Sequence, residues 1–223
     1  MIITIDGPAG TGKSTVAKLL AEKIGFSYID TGAMYRAITY SILKNDISFK
    51  DIAKISDHLS NFRYHFEVRD GVVYHYVNDE DVTSSIRSQE ITSYVSQISA
   101  YKEIRDFLVK IQREVGSGAD AVLEGRDIGS VVFPNAEIKI FLDALPEIRA
   151  ERRYLELLKA ESNNSDCIDK QAVLKDILRR DKYDSSRKIS PLICPDDAYV
   201  IDTSTMSIDD VVDAIKKLSA TFF

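Results

Sequence analysis

Cysteine is nearly absent. The 223 residues hold two, Cys167 and Cys194, in no Cys-x-x-Cys pair, which argues against a disulfide-stapled scaffold or a cysteine-built metal site. Long apolar runs are missing as well. None approaches the ~20 residues that cross a bilayer, so no membrane partner is expected. Met1 leads straight into Ile-Ile-Thr-Ile without the charged and apolar regions of a secretory leader, so a reducing cytoplasm is the expected compartment. Basic residues are outnumbered, 29 Lys and Arg against 35 Asp and Glu, for a net charge of -6. That balance argues against a nucleic-acid or general polyanion binder and requires any phosphate site to be a local basic cluster. Histidine is scarce: His58, His65 and His75 fall in one stretch, suit no metal site, and are expected at the surface. The Asn-Lys-x-Asp and Asp-x-x-Gly strings of guanine-nucleotide switches do not occur, which weakens a switch reading.

What is present is the pattern of an α/β protein. A short apolar run, Ile2 to Ile5, precedes a Gly- and Pro-rich loop and then a helical pattern from Lys13, which Gly25 can end in the left-handed region. Ser27 to Asp30 reads as a second strand and Ala33 to Lys44 as a second helix. Strand patterns recur at Ala121 to Glu124, Ile138 to Leu142 and Tyr199 to Asp202. Five parallel core strands flanked by helices are expected. A capped helix is expected from Ser48, after which the period changes to two. Phe62 to Val68 and Val72 to Val77 flank Asp70-Gly71, a strong hairpin turn foreign to a βαβ series. Helices are expected at Ser88 to Ala100 and Lys102 to Val115, from Pro146, and after the capping box Ser207 to Asp210. Residues 149 to 188, broken at Ser162-Asn163-Asn164-Ser165, suggest a mobile helical hairpin.

Three clusters carry chemistry. Gly7-Pro8-Ala9-Gly10-Thr11-Gly12-Lys13-Ser14, with Thr15 after it, fits Gly-x4-Gly-Lys-Ser/Thr between a strand and a helix. Its backbone N–H groups and the following helix N-terminus suit the phosphates of ATP. Lys13 suits the β- and γ-phosphates, and the Ser14 hydroxyl suits Mg²⁺. Six of the thirteen arginines lie between residues 149 and 187, and residues 149 to 188 hold eleven Lys and Arg against eight Asp and Glu. That density suits a lid closing on a transferring phosphoryl group. Finally, Arg126 and Asp127 follow the third core strand, and Thr31, Tyr35 and Arg36 follow the second. Both positions lie at strand carboxyl ends, where parallel sheets bind ligands. Arg126 would be a phosphate fork, and Asp127 an acceptor or a magnesium-shell carboxylate. Many arginines and few general bases favour an anionic phosphate acceptor over an alcohol.

Several strings resemble the bacterial cytidylate kinase family, from one end of the chain to the other. They are Ile3 to Pro8, the loop through Thr15, Asp30 to Arg36, Glu124 to Gly129, Val132 to Pro134, Lys139 to Ala144, and Arg180-Asp181 through Asp184 to Arg187. The resemblance implies a P-loop nucleoside monophosphate kinase fold: a five-stranded parallel sheet flanked by helices, a monophosphate-binding insert containing a β-hairpin, and an Arg-rich helical lid. The boundaries expected are a core of 1–61, 101–148 and 189–223, an insert of about 62–100 and a lid of about 149–188. It further implies ATP-dependent phosphorylation of CMP and dCMP in pyrimidine nucleotide metabolism, with Mg²⁺, by a monomer. By the same resemblance Lys13, Arg126 and Arg180 are catalytic, and Arg36, Arg126 and Arg180 hold the acceptor phosphate. Asp184 and Arg187 would take the ribose, Ser96, Arg105 and Asp127 the cytosine, with Thr31 where relatives often have Ser. Arg149, Arg152, Arg153 and Arg179 are unranked candidates for the lid arginine at the γ-phosphate, because the lid tip, Ser162 to Cys167, is individual to this chain. Rival readings are a kinase for UMP, AMP or a metabolite alcohol, and a regulatory NTP-binding protein.

Overall fold

The computed structural model describes residues 1–160 and 169–219. Along them the strands are β1 (Ile2–Asp6), β2 (Ser27–Asp30), β3 (Tyr64–Arg69), β4 (Val72–Val77), β5 (Glu80–Asp81), β6 (Ala121–Glu124), β7 (Ile138–Asp143) and β8 (Tyr199–Asp202). The helices are α1 (Lys13–Ile24), α2 (Thr31–Lys44), α3 (Ile52–Asn61), α4 (Gln89–Ile98), α5 (Lys102–Gly116), α6 (Pro146–Ala160), α7 (Lys170–Ser186) and α8 (Ile208–Ser219). The chain divides into two compact units, one of Met1–Ile29 with Gly116–Phe223 and one of Asp30–Val115.

The first unit is built on a five-stranded sheet of order β2-β6-β1-β7-β8. β1 pairs in parallel with β6 and β7, and β7 with β8. β1, β6 and β7 are short and almost continuously apolar because helices cover both faces of a parallel sheet. Ile3, Ile5, Val122, Ile138, Ile140 and Leu142 are buried against Val16, Leu20, Val211 and Ile215 of α1 and α8. Each of these strands ends on a carboxylate. Ile5 lies opposite Glu124, Asp6 opposite Phe141, and Asp143 opposite Asp202, so acidic side chains gather at the end of the sheet from which the loops depart.

Local chemistry accounts for the helix ends. Gly25 closes α1 at φ 74°, its N–H donating to the Ala21 carbonyl. Ser207 and Asp210 form the expected reciprocal box at α8, Asp210 N–H donating to Ser207 Oγ at 3.2 Å and Ser207 N–H to Asp210 Oδ2 at 3.0 Å. Helices α6 and α7 pack on one another. The expected break at Ser162 to Ser165 and the lid tip to Cys167 lie outside the described residues.

The second unit pairs helices with the expected hairpin. β3 and β4 run antiparallel with Arg69 opposite Val72, and Asp70 and Gly71 both take positive φ, 51° and 73°, as a type I′ turn requires. A third strand, β5, was not foreseen. It pairs with β4 after a second two-residue turn at Asn78 and Asp79, φ 48° and 66°, a conformation those two residue types tolerate. The helix expected from Ser48 starts later. Asp51 is its cap, accepting from Lys54 N–H at 3.0 Å, while the Ser48 hydroxyl serves the turn before it by accepting from Lys50 N–H. The expectation of surface histidines holds for His65 alone. His58 is half-buried with Nε2 2.8 Å from Ser41 Oγ, and His75 is buried with Nδ1 2.8 Å from the Tyr64 hydroxyl. The period-two pattern aimed His75 inward, and the packed hydroxyl made that burial tolerable.

Candidate active site

The loop between β1 and α1 owes its shape to glycines. Gly7 and Gly10 have φ of 146° and 80°. A Cβ on Gly7 would stand 2.0 Å from the Leu142 carbonyl oxygen, and one on Gly10 would stand 3.1 Å from both the Cβ and the carbonyl oxygen of Arg149. The loop can therefore pass close to β7 and α6 only without side chains there. Gly12 precedes α1, and no side chain caps that N-terminus and no acid stands in its first turn. By contrast, Asp30, Asp51, Ser88 and Asp169 cap α2, α3, α4 and α7. The α1 dipole thus opens on the loop with its positive end uncompensated, the arrangement that binds a phosphate.

Lys13 is 5% exposed, and its ammonium donates to the Pro8 carbonyl at 2.6 Å. Burial, reinforced by Arg126 and Arg180 and opposed by Glu124 and Asp6, lowers its pKa to about 7. The Ser14 hydroxyl donates to Glu124 Oε1 at 2.6 Å. Thr15 is exposed one residue on, and the Thr11 hydroxyl folds back on the Pro8 carbonyl.

Beyond β6, Arg126 donates from Nε to Asp184 Oδ2 at 3.1 Å. The turn that carries it is held by Asp6. This buried carboxylate accepts from Ile128 N–H at 2.9 Å and Gly129 N–H at 2.7 Å, and its pKa rises to about 6 because burial outweighs those hydrogen bonds. Asp127, also buried, adds to the rise. Arg180 and Asp184 lie one turn apart on one face of α7, and Arg187 is the residue that ends the helix. Arg187 Nε donates to the Asp184 carbonyl at 3.2 Å. Arg180 Nε is buried without a hydrogen-bond partner, and burial together with the Arg126 charge lowers its pKa. Lys13, Arg126 and Arg180 therefore share one electrostatic field around Asp184 and Glu124, the local cationic cluster that an acidic chain needs in order to hold phosphates.

The four lid candidates separate. Arg149 is a buried strut, donating to the Ala144 carbonyl at 2.9 Å and the Ala9 carbonyl at 3.0 Å and pairing with Asp181. Asp181 in turn accepts from Ala9 N–H at 3.2 Å, so the Ala9 peptide is gripped from both sides by α6 and α7. Arg152 is bound to Thr203 through both its hydroxyl and its carbonyl. Arg153 and Arg179 pair with Glu156 and Asp176 on their own helices. Arg153 is also among the charges that depress Arg180.

In the second unit, Thr31 is buried as the first residue of α2, behind the Asp30 cap. One turn on, Arg36 Nη1 donates to Thr92 Oγ1 at 2.7 Å and reaches the Ile86 carbonyl at 3.4 Å. Arg105, 2% exposed, donates to the Ser99 carbonyl at 3.2 Å, and its guanidinium lies 5.6 Å from the Tyr35 ring centroid. The Ser99 hydroxyl donates to the Ser96 carbonyl at 2.9 Å, so Ser96, Arg105 and Tyr35 form one buried cluster. Sequence reasoning missed Asp6, Glu124 and Asp181 as working residues although each lies inside a motif already singled out. For Thr92 no sequence signal existed. Among the described residues no group of three or more His, Cys, Asp or Glu could hold a metal ion, and no helix is long and apolar enough to cross a membrane.

The chain is similar to known proteins over nearly its whole length. A family model described as cytidylate kinase matches residues 3–221. A cytidylate kinase of Protochlamydia amoebophila is 51% identical over 212 residues, covering 95% of this chain and 93% of that protein. One of Fusobacterium nucleatum is 46% identical, covering 97% and 96%. An uncharacterized protein from Eubacterium ventriosum, 14% identical with a TM-score of 0.52, covers 99% of this chain and 98% of that one and shares the fold.

Proposed function

The chain belongs to the cytidylate kinase family, and from that premise we propose that it transfers the terminal phosphoryl group of ATP to CMP, and to dCMP, in pyrimidine nucleotide metabolism. The observation that carries the reading is the shared field of Lys13, Arg126 and Arg180 beside the uncapped α1 N-terminus. Such a cluster neutralises the charge spread over a transferring phosphoryl group, and the reaction asks for alignment more than for a base. Donor phosphates bind the loop of residues 7–15 and Lys13. Arg36, Arg126 and Arg180 hold the acceptor phosphate, Asp184 and Arg187 the ribose, and Ser96, Arg105 and Asp127 the base, with Thr31 beside them. The segment of about 62–100 serves as the monophosphate-binding insert and 149–188 as the lid, with Arg153 and Arg179, which pair with acids of their own helices, the candidates for the γ-phosphate. Arg149 keeps the lid helices on the loop rather than reaching a phosphate. The enzyme works as a cytoplasmic monomer.

The residues present fit Mg²⁺. Ser14 Oγ and the Glu124 carboxylate, 2.6 Å apart, are hard oxygen donors at the end of the loop. The ion would supply charge neutralisation for the donor phosphates, and Ser14 and Glu124 would hold it. A coupled assay of ADP release with and without CMP tests the reading. CMP-dependent release that exceeds release with UMP, AMP or no acceptor is expected. Equal release without any acceptor would overturn it in favour of a regulatory NTPase.

A further inference from the structure

The Arg36 side chain is held from within its own unit by residues Ser85 to Thr92, none of which has been given a contact with substrate. Residues Ser85–Arg87 form one 3₁₀ turn, Ser88 caps α4, and Thr92 lies in its first turns, 8% exposed. A threonine hydroxyl carries one proton. That proton goes to the Ser88 carbonyl at 2.9 Å, so toward Arg36 the Thr92 oxygen can only accept, which suits the guanidinium donor 2.7 Å away. The hydrogen bonds run in one direction, from Arg36 to Thr92 to Ser88, and each geometry selects the next. The same segment touches α2 once more, where Arg87 pairs with the capping residue Asp30 at 3.3 Å. Arg87 is 56% exposed at its side chain, so that pair is screened and contributes little. Within the segment Arg36 Nη1 also reaches the Ile86 carbonyl, but at 3.4 Å against 2.7 Å to Thr92 Oγ1, so the stronger directional hold comes from Thr92.

We propose that Thr92 is a positioning residue for the acceptor phosphate: its hydroxyl, polarised by the Ser88 carbonyl, fixes the plane and direction of the Arg36 guanidinium before the monophosphate arrives. A free arginine side chain would have to be ordered on binding, at a cost in affinity. Anchored at Nη1 it meets the phosphate already oriented. The inference rests on the reading of Arg36 as an acceptor-phosphate ligand.

The test is steady-state kinetics of the whole chain as wild type, Arg36→Ala, Thr92→Val, Thr92→Ser and the double variant Arg36→Ala/Thr92→Val, with melting temperatures for each. Thr92→Val keeps shape and removes the acceptor. It is expected to raise KM for CMP about tenfold, the scale of one hydrogen bond to a charged group, with KM for ATP within about twofold. Thr92→Ser restores KM for CMP, and in the Arg36→Ala background Thr92→Val adds nothing further. An unchanged KM for CMP in Thr92→Val, an equal rise in the Arg36→Ala background, or a parallel rise in KM for ATP would overturn the proposal. If Arg36→Ala itself leaves KM for CMP unchanged, the acceptor reading of Arg36 fails, and that result is distinct from an inert Thr92 beside a sensitive Arg36. Should valine at position 92 lower the melting temperature enough to prevent assay, Thr92→Ala takes its place with the same expected outcomes.

Discussion

Raising the pH from 7 to 9 should weaken ATP binding while making the nucleotide-free protein more stable, and both trends come from Lys13. In the folded protein burial and the neighbouring Arg126 charge bring the Lys13 ammonium to a pKa of about 7, from an ordinary 10.5. Phosphates bound beside it favour the charged form, so binding at a pH above 7 must return a proton. At pH 8 about nine-tenths of a group with a pKa near 7 is neutral, so ATP binding should take up about 0.9 proton, and each further pH unit should cost about tenfold in affinity. Stability moves the other way. The native state binds fewer protons than the unfolded chain between about 7 and 10.5, so this group makes unfolding harder as pH rises through that window. Calorimetry of MgATP binding at pH 8 in buffers of different ionisation heat measures the uptake, and the same experiment on Lys13→Met separates Lys13 from other groups. Binding with no proton uptake, or uptake that survives in Lys13→Met, would refute the argument.

Other outcomes follow from the same geometry. Arg126→Ala should lower CMP-dependent ADP formation by about 100-fold or more, since it removes a charge that holds and aligns the acceptor phosphate. Acceptor-independent ATP hydrolysis should change by about threefold or less, and equal losses in both assays would move Arg126 to the donor side. Asp127→Asn should shrink the CMP/UMP ratio of kcat/KM by about tenfold, because an amide can turn its donor toward the uracil carbonyl where a carboxylate can only repel it. An unchanged ratio would hand base selection to Ser96 and Arg105. Asp6→Asn should cost about 1–3 kcal/mol in chemical denaturation, because one of the two N–H donors of Ile128 and Gly129 loses its acceptor. It should also flatten the pH dependence of stability between about 4 and 6, where the native carboxyl, raised to about 6, holds a proton that the unfolded chain has released. A variant as stable as wild type would show that Asp6 does not anchor the turn.

How much of this was legible in the chain depends on how local each signal is. The phosphate loop, the type I′ turn at Asp70-Gly71, the Gly25 stop and the Ser207 box were readable because each is a contract between residues a few positions apart. Strands β1, β6 and β7 were readable because burial on both faces of a parallel sheet leaves an apolar run. The start of α3 at Asp51 rather than Ser48 was not, since either residue can cap and only the packing of Ile55 and Leu59 chose the register. Nor was the fate of the arginines. Arg149, Arg152, Arg153 and Arg179 look alike in sequence, yet one grips the Ala9 peptide, one is tied to Thr203, and two pair with acids of their own helices. A guanidinium is defined by what surrounds it, and those surroundings come from strands and helices far apart in the chain. The sequence by itself determined which residue types could hold phosphates and in what order they come. Tertiary structure alone decided that Lys13 would be buried among Arg126 and Arg180, that Asp6 would hold the turn bearing Arg126, and that a threonine with no motif around it would aim Arg36, because burial and hydrogen-bond direction exist only once distant segments are packed together.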